Sequence, residues 1–532
     1  MILQSGSLSE GEVLDADLCI VGAGAAGISM SHELAGTGIR VVVLESGFDG
    51  FDERAQSLYS GPNVGFDATP LDEARLRMLG GSSNHWAGNC MRLDPIDFEA
   101  REGVPYSGWP ISRSDLDPYY LRAQKMVETP SETAYDAEAN FQAIEAQPIA
   151  FDPATFANFL FAESPPTTFG NVYYDVLKRA DNVSVYLNAT ALEIQTDYTA
   201  SRVTAVRAAG IDGPRFEVRA RHFILAQGGI EVARLLLLSN AVATQGLGNQ
   251  NDLVGRFYMD HVSIRPALQA MIPTRQEEFS LYTESHFAND GYFRGAIQAT
   301  RELLYAEQLP NFRFIFFLQE SGSPGQVAAK RLKRSLQQSE LPDDFGWHMR
   351  NMITDLDGVT NEAFRTISRR NIDIVRRSWI EPWLSVESIP NPDSRVYLID
   401  ERDDFFGQHR VALDWRLTEA DLIANRRATE ILAQELGRLG YGRVWSALLK
   451  DDYDWPFPTT HGKHHTGTTR MSADPKKGVV DADCRVHGIS NLYIASSSVF
   501  PTQGHATPTL SIVALSLRLS DHLSQRLSEE GE

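Results

Sequence analysis

Cysteine is scarce in this chain of 532 residues: only Cys19, Cys90 and Cys484 are present. Three cysteines cannot build a disulfide framework, no CxxC pair marks a metal site, and no metal is expected. Cys19 falls inside an apolar strand pattern and reads as a small core residue. No run of about 20 apolar residues occurs, so no membrane span is expected. The first residues lack the basic start and apolar stretch of a secretory signal, and a cytoplasmic location is expected by default. Positive charge is also short, with 49 Lys+Arg against 70 Asp+Glu and a net charge of −21. Such a surface repels nucleic acid and anionic lipid, so neither is expected as a partner. Internal repeats and low-complexity segments are absent. What remains is a globular composition, 42% hydrophobic and 10% aromatic, long enough for two or more domains.

Local patterns divide the chain. Asp17 to Gly22 is a short apolar strand, Ala25 to Leu34 a helix, and Val41 to Glu45 a second buried strand. Together they form a β-α-β unit. Residues 183–195 and 202–226 alternate as strands, and a helix pattern runs from Glu231 to Ser239 after the Gly228-Gly229 turn. The middle, roughly 259–460, holds aromatic-rich strand candidates such as Phe312 to Leu318. It also holds a charged helical region from about Gln326 to Arg377. The basic run Lys330 to Arg334 reads as a solvated helix face, because acidic residues follow at once. The last seventy residues return to glycine, strand and helix signals.

The first strand runs into Gly22-Ala-Gly24-Ala-Ala26-Gly27. Gly22 permits the tight turn, Gly24 lets the backbone approach a pyrophosphate, and Gly27 lets the helix pack on the strand. The helix start offers unpaired N–H groups to phosphates. Glu45 closes the second strand, 18 positions past Gly27, where an acid can accept both ribose hydroxyls. Gly22, Gly24, Ala26, Gly27 and Glu45 are therefore expected to contact a dinucleotide. Their position near the N-terminus favours FAD over NAD.

Three further motifs follow: Arg77-Met-Leu-Gly80-Gly81-Ser82-Ser83-Asn84-His85-Trp86-Ala87-Gly88, then His464-His465-Thr466-Gly467-Thr468, then Thr507-Pro508-Thr509-Leu510-Ser511. With the N-terminal fingerprint these resemble the glucose–methanol–choline (GMC) oxidoreductase family, colinearly from about residue 15 to 525. The Gly-Gly-Ser-Ser-x-His-Trp form is similar to the branch of pyranose oxidase, gluconate dehydrogenase and fructose dehydrogenase. The resemblance implies an α/β fold. A Rossmann-like FAD-binding domain would be built from discontinuous segments, 15–258 and 461–525, with insertions around 90–170. An α+β substrate domain with an antiparallel sheet would span 259–460.

The resemblance also implies roles. Gly80, Gly81, Ser82, Asn84, His85, Trp86 and Ala87 would lie beside the flavin, and His85 would either carry FAD covalently or only hydrogen-bond near the ring. Gln227 would sit near the adenine end. Ser496 stands where many relatives have Asp near the diphosphate or ribityl chain. Thr507 reads as a helix N-cap with Pro508 at the first helical position. The Thr509 and Leu510 amides would then face the flavin, where a helix N-terminus stabilises negative charge by about 0.3–2 kcal/mol. His464 opens the H-x-x-G-T run and is the expected base. His465 is expected to be structural and His461 a loop residue. The second catalytic position, usually Asn or His, is Thr507 here, and His505 is a weaker substitute. Asp260-His261 reads as a structural turn ahead of the alternative, an additional site element. The implied activity is oxidation of a hydroxyl on a sugar, glycoside or related polar alcohol. A small hydroxylated substrate and an acceptor (oxygen, a quinone or a redox protein) are the expected partners. The alternatives are an FAD-containing lyase of the hydroxynitrile-lyase type and an oxidase of a non-sugar alcohol.

Overall fold

The structure is a computed structural model. It describes the chain except residues 67, 131–134, 136, 145, 273–274, 276, 321–327, 330–331, 334–344, 355, 357–358, 361–377, 450–454, 456–458 and 531–532. Much of the expected helical region from Gln326 to Arg377, including three residues of the basic run, lies outside the described residues.

Two sheets organise the molecule. The first has eight strands. Its parallel centre is Glu12–Val21, flanked by Val41–Leu44 and Arg215–Leu225. Leu18, Ile20, Val43 and Ile224 are all buried, because a parallel strand covered on both faces must be apolar throughout. The C-terminal strand Leu492–Ile494 joins this sheet beside Arg215–Leu225, with Leu492 opposite Phe223. The tail of the chain thus completes a sheet begun at residue 2.

Helix Ala25–Leu34 spans the predicted range. Gly27 is what lets it sit on the sheet: a Cβ there would lie 1.9 Å from the Gly22 carbonyl oxygen. Gly22 itself has φ +105, in the region glycine favours. Gly27→Ala is therefore expected to lose about 1–3 kcal/mol of stability through overpacking, visible as a lowered thermal midpoint. The helix predicted from Glu231 begins two residues earlier, at Gly229, where the chain presses on the His465 carbonyl too closely for any side chain.

The second sheet has ten strands and is antiparallel. It includes Gly291–Ala299, Phe312–Glu320 and Ser378–Val386. Asn89–Cys90 and Phe156–Glu163, from the early part of the chain, continue it along one edge. Val262–Ile264 pairs with both Ser378–Val386 and Thr459–His461. The C-terminal helix Thr509–Glu529 packs on helices Ala25–Leu34 and Arg113–Met126.

Candidate active site

One cavity of about 630 Å³ runs between the sheets, and its lining begins at the N-terminal glycine turn and ends at the C-terminal helix. At the first end, Gly22, Gly24, Ala26 and Glu45 line it. A Cβ on Gly24 would meet nothing within 4 Å, so this turn faces open space. Gly27 lies behind the turn. The buried Glu45 carboxylate accepts hydrogen bonds from the Ala23 and Gly47 amides, at 2.9 and 2.8 Å. Burial raises its pKa. Each oxygen keeps a second lone pair for a ribose hydroxyl. Gln227 Oε1 is buried beside the cavity with no partner. The open turn, the acid and the orphaned amide oxygen together fit a dinucleotide.

A cluster missed in the sequence flanks this end. Arg75 and Arg77 grip the two oxygens of Glu231, each at 2.9 Å. The Tyr59 ring lies 4.0 Å from each of these guanidiniums. Arg77 also donates to Ser46 Oγ at 2.7 Å. Buried charge persists here because every member is paired. The nearby Gly80-Gly81 motif carried the signal, since both arginines immediately precede it.

The Gly80-Gly81 loop lies directly against the glycine turn. The Gly80 amide donates to the Ala23 carbonyl at 2.8 Å. Gly80 has φ +88, and a Cβ there would be 2.7 Å from the Gly170 nitrogen. Gly81, Ser82, His85, Trp86 and Ala87 line the cavity. Asn84 does not: its amide braces the loop by donating to the Leu79 and Gly81 carbonyls, both at 2.9 Å. The His85 ring makes no hydrogen bond to any described residue, and burial lowers its pKa, which keeps it neutral.

At the C-terminal helix the structure corrects the capping reading. The helix begins at Thr509 with Pro508 at the cap, and the Thr507 hydroxyl donates instead to the Asn89 carbonyl at 2.6 Å. The strand edge offered a closer acceptor than the helix start. Thr507 and Thr509 line the cavity, whereas the Leu510 side chain is fully buried in the core. Ser496 lines it too, its hydroxyl accepting from the Ser498 amide. His505 does not line it. Its Nε2 meets Asp94 Oδ2 at 3.0 Å and its ring stacks near Phe159, so the substitute base proposed from sequence points elsewhere.

Asp260 and His261, expected to be a structural turn, stand behind the cavity wall and hold His464. Asp260 is fully buried. It accepts from the amides of His261, Gly462 and His464 and from His461 Nδ1, at 2.7 to 3.1 Å. Burial alone would raise its pKa, but the His461 hydrogen bond and the nearby imidazoles outweigh burial and hold it well below the usual range. His461 is no loop residue. It ends strand Thr459–His461, accepts from the Thr69 amide at 2.8 Å and anchors Asp260. His465 is buried with its Nδ1 2.6 Å from the Tyr258 hydroxyl.

His261 Nδ1 lies 2.8 Å from His464 Nδ1. The facing atoms of Asp260, His261 and His464 are all within 4.8 Å of one another. Proton positions follow from the partners. His261 Nε2 is 2.8 Å from the Gly504 carbonyl, which can only accept, so Nε2 carries the proton. Burial pushes His261 down to about 4, so the ring is neutral and its Nδ1 accepts. His464 Nδ1 must then donate, leaving its Nε2 with a lone pair. Burial first, then His261, hold His464 well below its ordinary pKa. No hydrogen bond from any described residue reaches that Nε2, and His464 lines the cavity. Gly504 is fixed from behind by Glu387, which accepts its amide at 3.0 Å.

Comparison with known proteins agrees with this architecture. Residues 390–516 match the family model described as GMC oxidoreductase. The chain is 25% identical to the fructose dehydrogenase large subunit of Gluconobacter japonicus, covering 97% of this chain and 99% of that one. It is also 25% identical to the 6'''-hydroxyparomomycin C oxidase of Streptomyces lividus, covering 97% and 92%. Among solved structures, formate oxidase superposes with a TM-score of 0.55 at 14% identity, over 98% of this chain and 100% of that one. Over residues 390–516 the chain is thus similar to the GMC oxidoreductase family. Among the described residues no helix is long and apolar enough to cross a membrane.

Proposed function

We propose that the protein oxidises a hydroxyl-bearing carbon of a sugar, glycoside or related polar alcohol, with His464 as the base. One observation carries this reading: the hydrogen-bonded imidazole pair that leaves His464 Nε2 as a lone pair facing the cavity. Bound FAD supplies the acceptor of the hydride that leaves carbon as C–OH becomes C=O. The hydroxyl proton passes to His464 Nε2. The resulting imidazolium keeps its Nδ1–H bond to His261, and the ionised Asp260 beside the pair offsets its charge. Thr507 contributes no base, and its hydroxyl proton is already given to Asn89. The two relatives named above are, by their names, a fructose dehydrogenase subunit and a 6'''-hydroxyparomomycin C oxidase, which supports the substrate class.

Anaerobic mixing with a panel of sugars and alcohols tests the reading. Loss of the oxidised-flavin absorbance is expected. Turnover without bleaching would show a lyase and refute it.

His85 is proposed as a covalent attachment point, because its neutral ring has no hydrogen-bond partner among the described residues and lines the cavity. Acid-precipitated protein is expected to keep its yellow colour. FAD released into the supernatant would exclude the bond.

A further inference from the structure

The inner face of the ten-stranded sheet forms the wall of the cavity opposite the glycine turn. Strand alternation places Arg313, Ile315 and Phe317 on one face. Register sets Arg313 opposite Ser385 and Ile315 opposite Trp383. Arg265 and Arg294 line the same wall, their guanidiniums 4.7 Å from the Trp383 and Phe317 rings.

None of these three guanidiniums is ion-paired with a described residue. Arg294 donates to the Tyr282 and Phe316 carbonyls, at 2.9 and 2.8 Å. Arg265 reaches only Ser263 Oγ, at 3.5 Å. Arg313 is 5% exposed, its Nη1 meets the Met91 sulfur, and its Nε is buried without a partner. Two acids act on them without forming an ion pair: Asp260, already held by four N–H groups, acts on Arg265, and Glu163 on Arg294. Lys463 adds a fourth cation to the cavity lining. Of the three, Arg313 is buried, Arg294 half-buried and Arg265 exposed, and Arg313 differs from most other buried arginines. Arg75, Arg77, Arg101 and Arg234 each meet a carboxylate. A buried cation without a counter-ion is unfavourable, so such a site is built for a charge that arrives from outside. Burial, with Arg265 beside it, pushes Arg313 down to about 9, as expected of a cation still lacking its partner.

We infer that the substrate carries an anionic oxygen group, a carboxylate or a phosphate ester, which Arg313 and Arg265 receive while the hydroxylated carbon faces His464. This rests on the oxidation reading above and adds the substrate's charge. The stacked Phe317 and Trp383 rings, with centroids 3.8 Å apart, would cover the apolar side of the same molecule.

The test uses the FAD-loaded full chain with D-glucose, D-glucuronate and D-glucose 6-phosphate, which present one ring with no charge, a carboxylate or a phosphate. Inorganic phosphate and acetate serve as scaffold-free probes. Binding is read by calorimetry and oxidation by anaerobic bleaching. At least one anion of the set is expected to bind about 10–100-fold more tightly than its neutral counterpart or, for the free probes, measurably at all. Arg313→Met should abolish that preference, and Arg313→Lys should restore part of it. Whichever anion wins identifies the carboxylate or the phosphate source. Equal binding of neutral and charged sugars, no binding by any anion, or an Arg313→Met variant slowed equally on all substrates would overturn the inference. The last outcome would assign the arginines to the flavin. Bleaching by D-glucose without anion preference would leave the oxidation reading standing. Anion binding that Arg313→Met weakens, without bleaching by any substrate, would sink the oxidation reading alone.

Discussion

His464→Ala is expected to slow flavin reduction by about 10²–10⁴-fold while FAD stays bound, the range a positioned general base supplies. The variant removes the lone pair that takes the hydroxyl proton and nothing that holds the cofactor, because His464 is not part of the glycine turn, Glu45 or the Gly80-Gly81 loop. Rapid mixing under anaerobic conditions reads the effect directly, and the visible spectrum before mixing reports cofactor retention. Thr507 cannot compensate, and His505 is held by Asp94 outside the cavity. Unchanged reduction kinetics would remove His464 from the mechanism. The pH profile carries a sign as well. The base works when neutral, and burial holds its pKa below the ordinary histidine value of about 6.5. The rate constant should therefore be flat above that value and fall only as pH drops through the lowered pKa.

His261→Leu should cost about 10²-fold in the same rate constant, although His261 is placed here behind the base and not against the substrate. Leucine removes the acceptor for His464 Nδ1–H, so the ring is free to take the other tautomer and present N–H where a lone pair is needed. His261→Gln tests the cause. Its amide oxygen can accept from Nδ1–H, so most of the rate should return. Since His261 also lowers the pKa of His464, the acid limb should move to higher pH in the Gln variant. A Leu variant reduced as fast as the wild type would disprove the positioning role. Equal loss in Gln and Leu with an unmoved acid limb would show a packing defect instead. Stability should follow the same groups. His261 has a folded pKa depressed to about 4, so its contribution is complete above about 6.5 and is lost as pH falls toward 4.

The parts of this molecule that could be read from sequence are those whose cause is local. The Gly22–Gly27 turn, helix Ala25–Leu34 and the Gly80-Gly81 loop depend on glycines within a few residues and on apolar runs of the right period. His464 stood out through its H-x-x-G-T setting, and it lines the cavity. His261 and His461 were not, because their importance arises when Val262 pairs with His461 across two hundred residues of chain. Asp260-His261 alone has the look of any turn. Arg265, Arg294 and Arg313 were hidden for a related reason. Each occupies an ordinary strand or strand-end position, and only the pairing of Gly291–Ala299, Phe312–Glu320, Ser378–Val386 and Val262–Ile264 in one sheet shows that the arginines share a wall. The reading of Thr507 as a cap failed because no local pattern reveals that the Asn89 carbonyl lies within reach.

The strand Leu492–Ile494 has a consequence for biosynthesis. It sits against Arg215–Leu225, and Asn491 just before it hydrogen-bonds the backbone of Val203 and Arg221. A ribosome must therefore release the chain through residue 494 before this sheet is complete. Until then, the Phe223–Leu225 end of that strand is an unpaired edge, open to other nascent chains. Stalling or truncation anywhere before residue 492 leaves that edge uncovered, so such fragments should end as aggregates or as clients of chaperones.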